Sequence, residues 1–402
     1  MGGPVPAFGI GRLPRITFGA GASAQLPAIV ARHGRRVLLV TGEHSFSQSP
    51  RRAQLEAGLI DSDVTLVGAT SVRGEPGPAD VEGPVARFRE QAVEVVLGVG
   101  GGAVLDTAKA IAGLLRSRTE LMDHLEGVGR GLPYAGPAVP VVAVPTTAGT
   151  GSEATRNAVI TQRGADGYKR SFRDESMVPA DAVVDPDLLA TAPRSLIAAN
   201  GLDALTQLLE SFTSRKATPF TDALARDGLA SVREGLLTWH RDPDGPDAVA
   251  ARSHMAYAAL LSGICLANAG LGAVHGFASP LGAQLPIPHG MACGAVLWPV
   301  MRANIAALAE RDPGSPALAK YAEAGRIQAS LPAESSDEAA RVTLLAVLHD
   351  WVTVLEIPPL SAYEMTPAHI PLIVGDSPGS SMASNPVALT DVELSAILRG
   401  AL

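Results

Sequence analysis

Four polar residues in the second half of the sequence have the chemistry of a metal site. Asp203 and Gln207 stand four residues apart in GLDALTQLLE, so a helix there presents both on one face. His275 and His289 each precede a glycine within apolar surroundings, in GAVHG and PIPHG. One carboxylate and two imidazoles suit a divalent metal of the zinc or iron kind, with coordination positions left for a substrate. A histidine taken singly is more often a hydrogen-bonded structural residue, and that interpretation stays open.

Two polar, glycine-bearing turns in the first half have the chemistry of a phosphate site. The first, GVGGGAVLDTAK at residues 98–109, opens a predicted helix, where backbone N–H groups and the helix dipole favour an anion such as pyrophosphate. The second, PTTAGTGSE at residues 145–153, offers hydroxyl and amide donors to a ribose or a phosphate. Because both turns follow predicted parallel strands, we expect them to meet at the carboxyl edge of one sheet. An ordinary strand-to-helix turn and an ordinary helix cap are the structural alternatives.

The elements that position these residues change type along the chain. Before about residue 190, short β-branched runs alternate with amphipathic helical patterns, which is typical of a doubly wound α/β domain. Helical patterns rich in alanine and leucine follow, although clusters of Pro, Ser, Asp and Glu at residues 310–338 predict surface loops. The sequence therefore predicts an α/β, Rossmann-like dinucleotide-binding domain over residues 1–186 and an all-α domain over residues 187–402. The predicted strands are residues 36–41, 64–67, 93–99 and 139–144, and the predicted helices include residues 201–214, 219–237 and 247–267.

Composition limits the partners of the chain. Its 402 residues are 47% apolar and 18% charged with a formal net charge of -8, which excludes a disordered chain and argues against nucleic acid as a partner. The N-terminal segment has neither a basic region nor a continuous apolar run, which predicts a cytoplasmic protein. Residues 255–274 are uncharged and long enough to cross a bilayer, but their glycines and polar residues favour a buried helix and no membrane partner. The two cysteines, Cys265 and Cys293, are interpreted as inert buried thiols.

Lysine is scarce in this chain. Only four of the 32 basic Lys and Arg residues are lysines, and two of these, Lys109 and Lys169, lie in segments that carry candidate chemistry. Lys109 stands one turn after Asp106 at the start of a predicted helix, and a solvated ion pair is the structural alternative for these two residues. We expect arginine to be a poor replacement at Lys109 and Lys169 and a tolerated one at Lys320.

Taken together, the segments resemble the iron-containing (group III) alcohol dehydrogenase family over nearly the whole chain. The resemblance begins at FGAG (residues 18–21) and runs through GGGAVLDTAKAIA, PTTAGTGSEATRNAVIT, VVDPDL, GLDALTQLLE and GAVHGFASPLGAQLPIPHG to Asn385 and Pro386. The family combines an N-terminal dinucleotide-binding domain with a C-terminal helical domain. The resemblance implies an NAD(P)H-dependent alcohol dehydrogenase or aldehyde reductase, a homodimer that acts on a small alcohol or aldehyde with the help of a divalent metal.

The resemblance also assigns residues. The implied cofactor site comprises Gly100, Gly101, Gly102, Asp106, Thr146, Thr147 and Ser152, and the implied metal site comprises Asp203, Gln207, His275 and His289. The family normally has histidine where this chain has Gln207, and an amide oxygen is a poorer ligand for zinc or ferrous iron. Ser279 likewise replaces a histidine near the nicotinamide. We interpret His275, Ser279 and Lys169 as catalytic, with Lys169 in a basic turn that suits an anionic substrate group or the cofactor, unless that turn is simply solvated.

The end of the second strand predicts NADP(H) rather than NAD(H). NAD-dependent members of the family usually carry an aspartate there for the adenosine ribose, and this chain has Gly42. Without that carboxylate a 2′-phosphate is repelled less, and Ser45 can donate a hydrogen bond to it. Glu43 is the alternative, as an acceptor for the ribose hydroxyls.

Three other functions fit parts of the pattern. The related maleylacetate reductases keep the fold and reduce an acidic substrate without a metal, and both Gln207 and Ser279 favour that alternative. A lyase of the dehydroquinate synthase kind uses NAD transiently, but the basic residues expected around a phosphorylated substrate are sparse in the helical half. A dinucleotide sensor without turnover fits least. The leading hypothesis is hydride transfer assisted by a metal that acts as a Lewis acid on the carbonyl oxygen.

Overall fold

The computed structural model describes residues 5–164 and 167–402, which divide into two compact units. One unit is Gly11–Ala192, and the other is Pro193–Leu402 together with the described residues before Gly11. The division lies close to the predicted domain boundary after residue 186.

A six-stranded parallel sheet forms the middle of the first unit. Its strands are β1 (Arg15–Phe18), β2 (Arg36–Gly42), β3 (Thr65–Val72), β4 (Val95–Gly100), β5 (Val141–Pro145) and β8 (Asp181–Val184), in the order β1-β8-β5-β4-β2-β3. Every residue of β4 and β5 is buried, which is why these strands read as continuous apolar runs. The strand order reverses between β2 and β4, and sheets of this kind bind ligands at the carboxyl ends of the strands beside such a reversal.

Helices cover both faces of this sheet. They are α1 (Leu26–Ala31), α2 (Pro50–Asp61), α3 (Pro78–Phe88), α4 (Gly102–Leu115) and the short α5 (Leu121–His124). Successive strand residues point to opposite faces, so Leu38 and Val96 join the core with α3 and α4, whereas Leu39 and Leu97 join the core with α1 and α2. The predicted doubly wound α/β fold is confirmed.

A second, antiparallel pair of strands was not predicted. It consists of β6 (Asn157–Gln162) and β7 (Tyr168–Arg173). Ala158, Ile160 and Phe172 from this pair pack into the same core as α4. β7 was not predicted from the sequence because three of its six residues, YKRSFR, are basic and it has no apolar run.

The second unit is helical, as predicted. Its helices are α6 (Arg194–Thr213), α7 (Pro219–Arg241), α8 (Ala248–Ala269), α9 (Ala273–Gln284), α10 (His289–Arg311), α11 (Pro316–Ala329), α12 (Asp337–Val354), α13 (Ile370–Asp376), α14 (Ser380–Ser384) and α15 (Asp391–Gly400). The prediction of surface loops over residues 310–338 is wrong for α11. Pro316 occupies the first turn of α11, where proline is compatible with a helix, and Leu318 and Tyr321 are buried.

Two helices, α8 and α10, are long and apolar enough to cross a membrane by length and composition alone. In each of them, more than half of the most apolar stretch is buried inside the protein, at 67% and 61%. Packing within the helical unit accounts for their composition.

Candidate metal centre and dinucleotide site

Helix α6 carries three polar side chains into the interior of the helical unit. Asp203, Gln207 and Glu210 lie on neighbouring turns of one face, and all three are buried. A buried carboxylate is costly unless hydrogen bonds or a cation compensate its charge. The neighbouring helices therefore have to supply the partners of this face.

Two histidines from α9 and α10 face Asp203. His275, in the first turn of α9, has its Nε2 3.2 Å from Asp203 Oδ1, and His289, the first residue of α10, has its Nε2 3.7 Å from the same oxygen. Gly290 makes this approach possible, because a Cβ atom there would lie 2.3 Å from the backbone oxygen of Ala199 on α6. Glycine is therefore required at residue 290 by the close packing of α10 against α6.

Glu210 fixes the orientation of the His275 ring. His275 Nδ1 donates a hydrogen bond to Glu210 Oε2 at 2.6 Å, and the backbone N–H of Val274 donates to Glu210 Oε1 at 2.7 Å. The other ring nitrogen of His275 is therefore directed at Asp203. Carboxylates commonly orient metal-binding imidazoles in this way. Glu210 was not predicted as a site residue, although its position two turns after Asp203 was a usable signal.

Cys293 is a further donor beside these groups. It lies one turn after His289 on α10, and its Sγ is 3.8 Å from His275 Nε2 and 3.9 Å from His289 Nε2. One donor atom from each of Asp203, His275, His289 and Cys293 lies within 4.8 Å of all the others. The interpretation of Cys293 as an inert thiol missed this position, because the sequence surrounds it with small and apolar residues. Its spacing of one helical turn from His289 was the available signal.

Gln207 lies beside the cluster, but its amide is engaged. The Gln207 side chain hydrogen-bonds to the Asp203 carboxylate, an arrangement that requires the amide nitrogen as donor. Its oxygen, Oε1, lies 2.8 Å from the Ser262 hydroxyl. The only atom of Gln207 suited to bind a cation thus faces Ser262, and its predicted role as a metal ligand stays a prediction.

The charges of the cluster support one another. Burial raises the pKa of Asp203, but the imidazoles of His289 and His275 and the Gln207 amide outweigh burial and hold that pKa below its usual value. Burial lowers the pKa of His275, yet Cys293, Glu210 and Asp203 raise it well above the ordinary imidazole value. Burial likewise raises the pKa of Cys293, and the two imidazoles bring it below the usual thiol value. The anionic groups of this buried cluster therefore favour a positive charge beside them. Its donor atoms are those that bind a divalent metal of the zinc or iron kind.

Two residues predicted to be catalytic lie outside this cluster of donors. Ser279 is half-buried on α9, one turn after His275. Lys169, on β7 of the first unit, is largely buried and pairs with Glu75, with its Nζ 2.9 Å from Glu75 Oε2. That pair neutralises the charge predicted to steer an anionic substrate. The catalytic roles of both residues stay predictions.

The two glycine-bearing turns of the first unit lie side by side, as predicted. Gly100 pairs with Pro145 across β4 and β5, and the backbone N–H of Thr146 donates to the Gly100 carbonyl at 3.0 Å. A Cβ at Gly101 would lie 3.3 Å from the Thr147 side chain. At Gly102, which begins α4, a Cβ would lie 2.6 Å from the Thr150 side chain. A side chain at Gly102 would therefore clash with the second turn, and the glycines leave the backbone N–H groups at the start of α4 uncovered by side chains of their own, as the pyrophosphate of a dinucleotide requires.

Asp106 and Lys109 connect the two turns. Asp106 accepts hydrogen bonds from the Ser152 hydroxyl and from the backbone N–H of Val159, at 2.9 Å for the latter. The Nζ of Lys109 lies 3.1 Å from Asp106 Oδ1 and donates to the Ser152 carbonyl and the Thr155 hydroxyl, each at 3.0 Å. Lys109 is fully buried, so the alternative of a solvated pair is wrong. Asp106 and Ser152 hold the turns together, and their contact with a cofactor stays a prediction.

The carboxyl end of β2 is open. Gly42 ends this strand, and a Cβ there would meet only a methyl group of Val104, at 3.9 Å. Ser45 is exposed three residues later. Glu43 lies 3.7 Å from the side chain of Arg73, which is exposed beyond the end of β3. Arg73 was not predicted as a site residue, since only the pairing of β3 with β2 brings it to the end of β2.

Glu153, in the second turn, is a buried carboxylate that gives a pH-dependent stability. Burial raises the pKa of Glu153 to about 7, although a hydrogen bond from its own backbone N–H and the charge of Lys109 both lower that pKa. Because the folded state binds this proton more tightly than the unfolded chain, the associated stability is complete below about pH 4.5 and is lost as the pH rises through about 7. The Glu153→Gln variant should lack this loss, which amounts to roughly 2–4 kcal/mol of unfolding free energy at 1.4 kcal/mol per pKa unit.

Urea denaturation between about pH 5 and pH 8 measures this difference. The exposed Glu90 supplies the matched control, since Glu90→Gln should keep the pH profile of the parent protein. Parallel profiles for Glu153→Gln and the parent would refute a buried, protonated Glu153.

The chain is similar to known proteins along most of its length. The family model described as iron-containing alcohol dehydrogenase matches residues 14–186, and the model described as Fe-containing alcohol dehydrogenase family, C-terminal, matches residues 197–402. The chain is 35% identical to alcohol dehydrogenase 4 of Saccharomyces cerevisiae, over 73% of this chain and 75% of that protein. It is 36% identical to the NAD-dependent methanol dehydrogenase of Bacillus methanolicus, over 74% of this chain and 76% of that protein. Among solved structures, a 1,3-propanediol oxidoreductase matches with a TM-score of 0.88 at 27% identity, covering 99% of this chain and 100% of that one.

Proposed function

We propose that this chain, which belongs to the iron-containing alcohol dehydrogenase family, depends on a divalent metal held by Asp203, His275 and His289. The chain is an NAD(P)H-dependent oxidoreductase that interconverts small alcohols and aldehydes. The observation that supports metal dependence is the convergence of a buried carboxylate, two imidazoles and a thiol within 4.8 Å of one another. Carboxylate, imidazole and thiol are together the donor types that bind a divalent metal of the zinc or iron kind.

The residues of the centre have separate tasks in the reduction of an aldehyde. When bound, the metal polarises the carbonyl oxygen and the reduced nicotinamide supplies the hydride, so that aldehyde, NAD(P)H and a proton give alcohol and NAD(P)+. Asp203 contributes the compensating negative charge, and Glu210 holds the His275 ring in place at 2.6 Å. We assign proton delivery to the product oxygen to the Ser279 hydroxyl or a water beside it, one turn from His275 on α9. Lys169 can bind an anionic substrate group only if its ion pair with Glu75 breaks, and we propose that role for it on this condition.

A metal-independent reductase of the maleylacetate reductase kind is the second candidate. Gln207 favours it, because its amide oxygen faces Ser262 and not the cluster. A lyase that uses NAD transiently is the third. Net oxidation of NADPH or NADH during the conversion of short aldehydes supports an oxidoreductase, whereas turnover with no net change in nicotinamide absorbance would select the lyase.

We propose NADP(H) as the preferred cofactor. The carboxyl end of β2 has no side chain at Gly42, and Ser45 and Arg73 are exposed beside it. A hydroxyl and a guanidinium are suitable partners of a 2′-phosphate. Glu43, which lies 3.7 Å from Arg73, is the group that would oppose this preference by binding the ribose hydroxyls.

The Gly42→Asp variant tests the cofactor preference. We expect its kcat/KM for NADPH to fall at least about tenfold while that for NADH is retained or improved, because a carboxylate repels the 2′-phosphate and accepts from the ribose hydroxyls. The space around Gly42 admits the new side chain, and Gly42→Asn is the uncharged control. A parent protein that already prefers NADH strongly would contradict the proposal.

We also propose that the enzyme is a cytoplasmic homodimer. The family resemblance supports the dimer. Both cysteines are buried free thiols, which suits a reducing compartment.

A further inference from the structure

We propose that Cys293 is a protein ligand of the metal and occupies the coordination position that the Gln207 amide does not fill. The centre is then an Asp–His–His–Cys site, whose sulfur donor selects zinc over ferrous iron. This inference rests on the proposed metal-dependent function, and it concerns which residues hold the metal and which metal they hold.

Three distances within the cluster are close to those between ligands of one ion. Zinc bonds of about 2.0–2.1 Å to nitrogen and about 2.3 Å to sulfur place a sulfur and a nitrogen ligand about 3.6 Å apart at tetrahedral angles. The Cys293 sulfur lies 3.8 Å from His275 Nε2 and 3.9 Å from His289 Nε2. His289 Nε2 lies 3.7 Å from Asp203 Oδ1, too far for a hydrogen bond and suitable for two ligands of a shared ion.

The helices direct these atoms at one another. His289 and Cys293 are one turn apart on α10 and therefore share a face. Cys293 is completely buried, as is Asp203 on the opposing helix α6. Glu210 accepts a hydrogen bond from Nδ1 of His275, so Nε2 is the ring nitrogen that faces the sulfur of Cys293.

Gln207 does not compete for this position. Its amide nitrogen serves Asp203, and its oxygen lies 2.8 Å from the Ser262 hydroxyl. Turning the amide over would place its oxygen against the Asp203 carboxylate, which is unfavourable for two acceptors. Cys293 is therefore the donor that compensates for the poor ligand at residue 207.

The identity of the donor also points to the metal. Thiolate is a soft ligand that suits the borderline-soft Zn²⁺ better than hard cations, and the general affinity order places Zn²⁺ above Fe²⁺. A zinc held by these four residues would need a fifth coordination position for a substrate oxygen, which catalytic zinc sites can provide. We therefore expect zinc to be retained in preference to iron when both are supplied.

X-ray absorption of the zinc-loaded parent protein tests this directly and needs no variant. We expect one sulfur scatterer at about 2.3 Å, together with nitrogen and oxygen scatterers at about 2.0–2.1 Å. A zinc shell made only of nitrogen and oxygen would overturn the assignment of Cys293. Failure of the parent protein to bind either zinc or ferrous iron stoichiometrically would instead overturn the proposed metal-dependent function and this inference with it.

Cobalt substitution identifies which sulfur is bound. The Co²⁺ protein should show an intense thiolate-to-cobalt absorption band in the near ultraviolet, and Cys293→Ser should lose the band and bind Co²⁺ at least about tenfold more weakly. Cys265→Ser, which removes the other buried thiol, and Gln207→Leu should both keep the band. The proposal would be contradicted if the band survived in Cys293→Ser. It would also be contradicted if the band were lost in Gln207→Leu but kept in Cys293→Ser.

Discussion

The His275→Ala variant is expected to retain little metal and to lose about a thousandfold or more of kcat/KM for aldehyde reduction. His275 contacts three other members of the centre: its Nδ1 lies 2.6 Å from Glu210, and its Nε2 lies 3.2 Å from Asp203 and 3.8 Å from Cys293. Polarisation of a carbonyl by a metal is worth several kcal/mol, and about 1.4 kcal/mol corresponds to a factor of ten in rate. Metal analysis and steady-state kinetics of the purified variant measure both losses.

A control separates loss of the centre from loss of the fold. His254 is exposed on α8, so His254→Ala should keep the metal content and the turnover of the parent protein. Circular dichroism shows whether His275→Ala still has its helices, because alanine also leaves Glu210 without its imidazole partner. If His275→Ala binds metal and turns over like the parent protein, the assignment of the site is wrong.

Replacement of Lys109 should have the largest effect on stability. The Nζ of Lys109 is fully buried and lies within 3.1 Å of Asp106, the Ser152 carbonyl and the Thr155 hydroxyl. Burial lowers the pKa of Lys109, while the charge of Asp106 opposes that effect. Lys109→Met leaves the Asp106 carboxylate without its cation and should lower the unfolding free energy by about 3–5 kcal/mol. Because the same contacts hold the two glycine-bearing turns together, the binding of the cofactor should weaken as well.

Urea denaturation and cofactor titration measure these effects. Lys320 offers a matched control: its Nζ lies 2.7 Å from Asp222, and both side chains are partly exposed. Lys320→Met should cost no more than about 1 kcal/mol, since partly solvated pairs contribute little. Lys109→Arg should also be destabilised, because a planar guanidinium needs room that this packed interior does not offer. Equal losses for Lys109→Met and Lys320→Met would contradict a structural role for Lys109.

The strands of the first unit were predictable where burial alone decides the sequence. β2, β4 and β5 lie inside the sheet, and their continuous Val and Leu runs marked them. β1 is a four-residue, mostly exposed strand at the edge of the sheet, and β7 is half basic, so neither carries a continuous apolar run. These elements form because of the tertiary neighbours they pair with, which a local pattern does not contain.

The metal centre was predictable only in part, for a similar reason. Asp203, His275 and His289 stood out because polar residues with ligand chemistry were placed in apolar segments and in segments that resemble a known family. Cys293 and Glu210 did not stand out, since their roles depend on the packing of α10 and α9 against α6. Distances between helices decide those roles, and a sequence does not contain them.

The activity of metal-free parent protein, titrated with zinc, tests the central claim most directly. We expect exhaustively chelated protein to reduce no aldehyde and to recover its turnover as zinc approaches one ion per chain, while His275→Ala fails to recover. Full activity of the metal-free protein would contradict a metal-dependent mechanism and would select the metal-independent, maleylacetate reductase-like alternative.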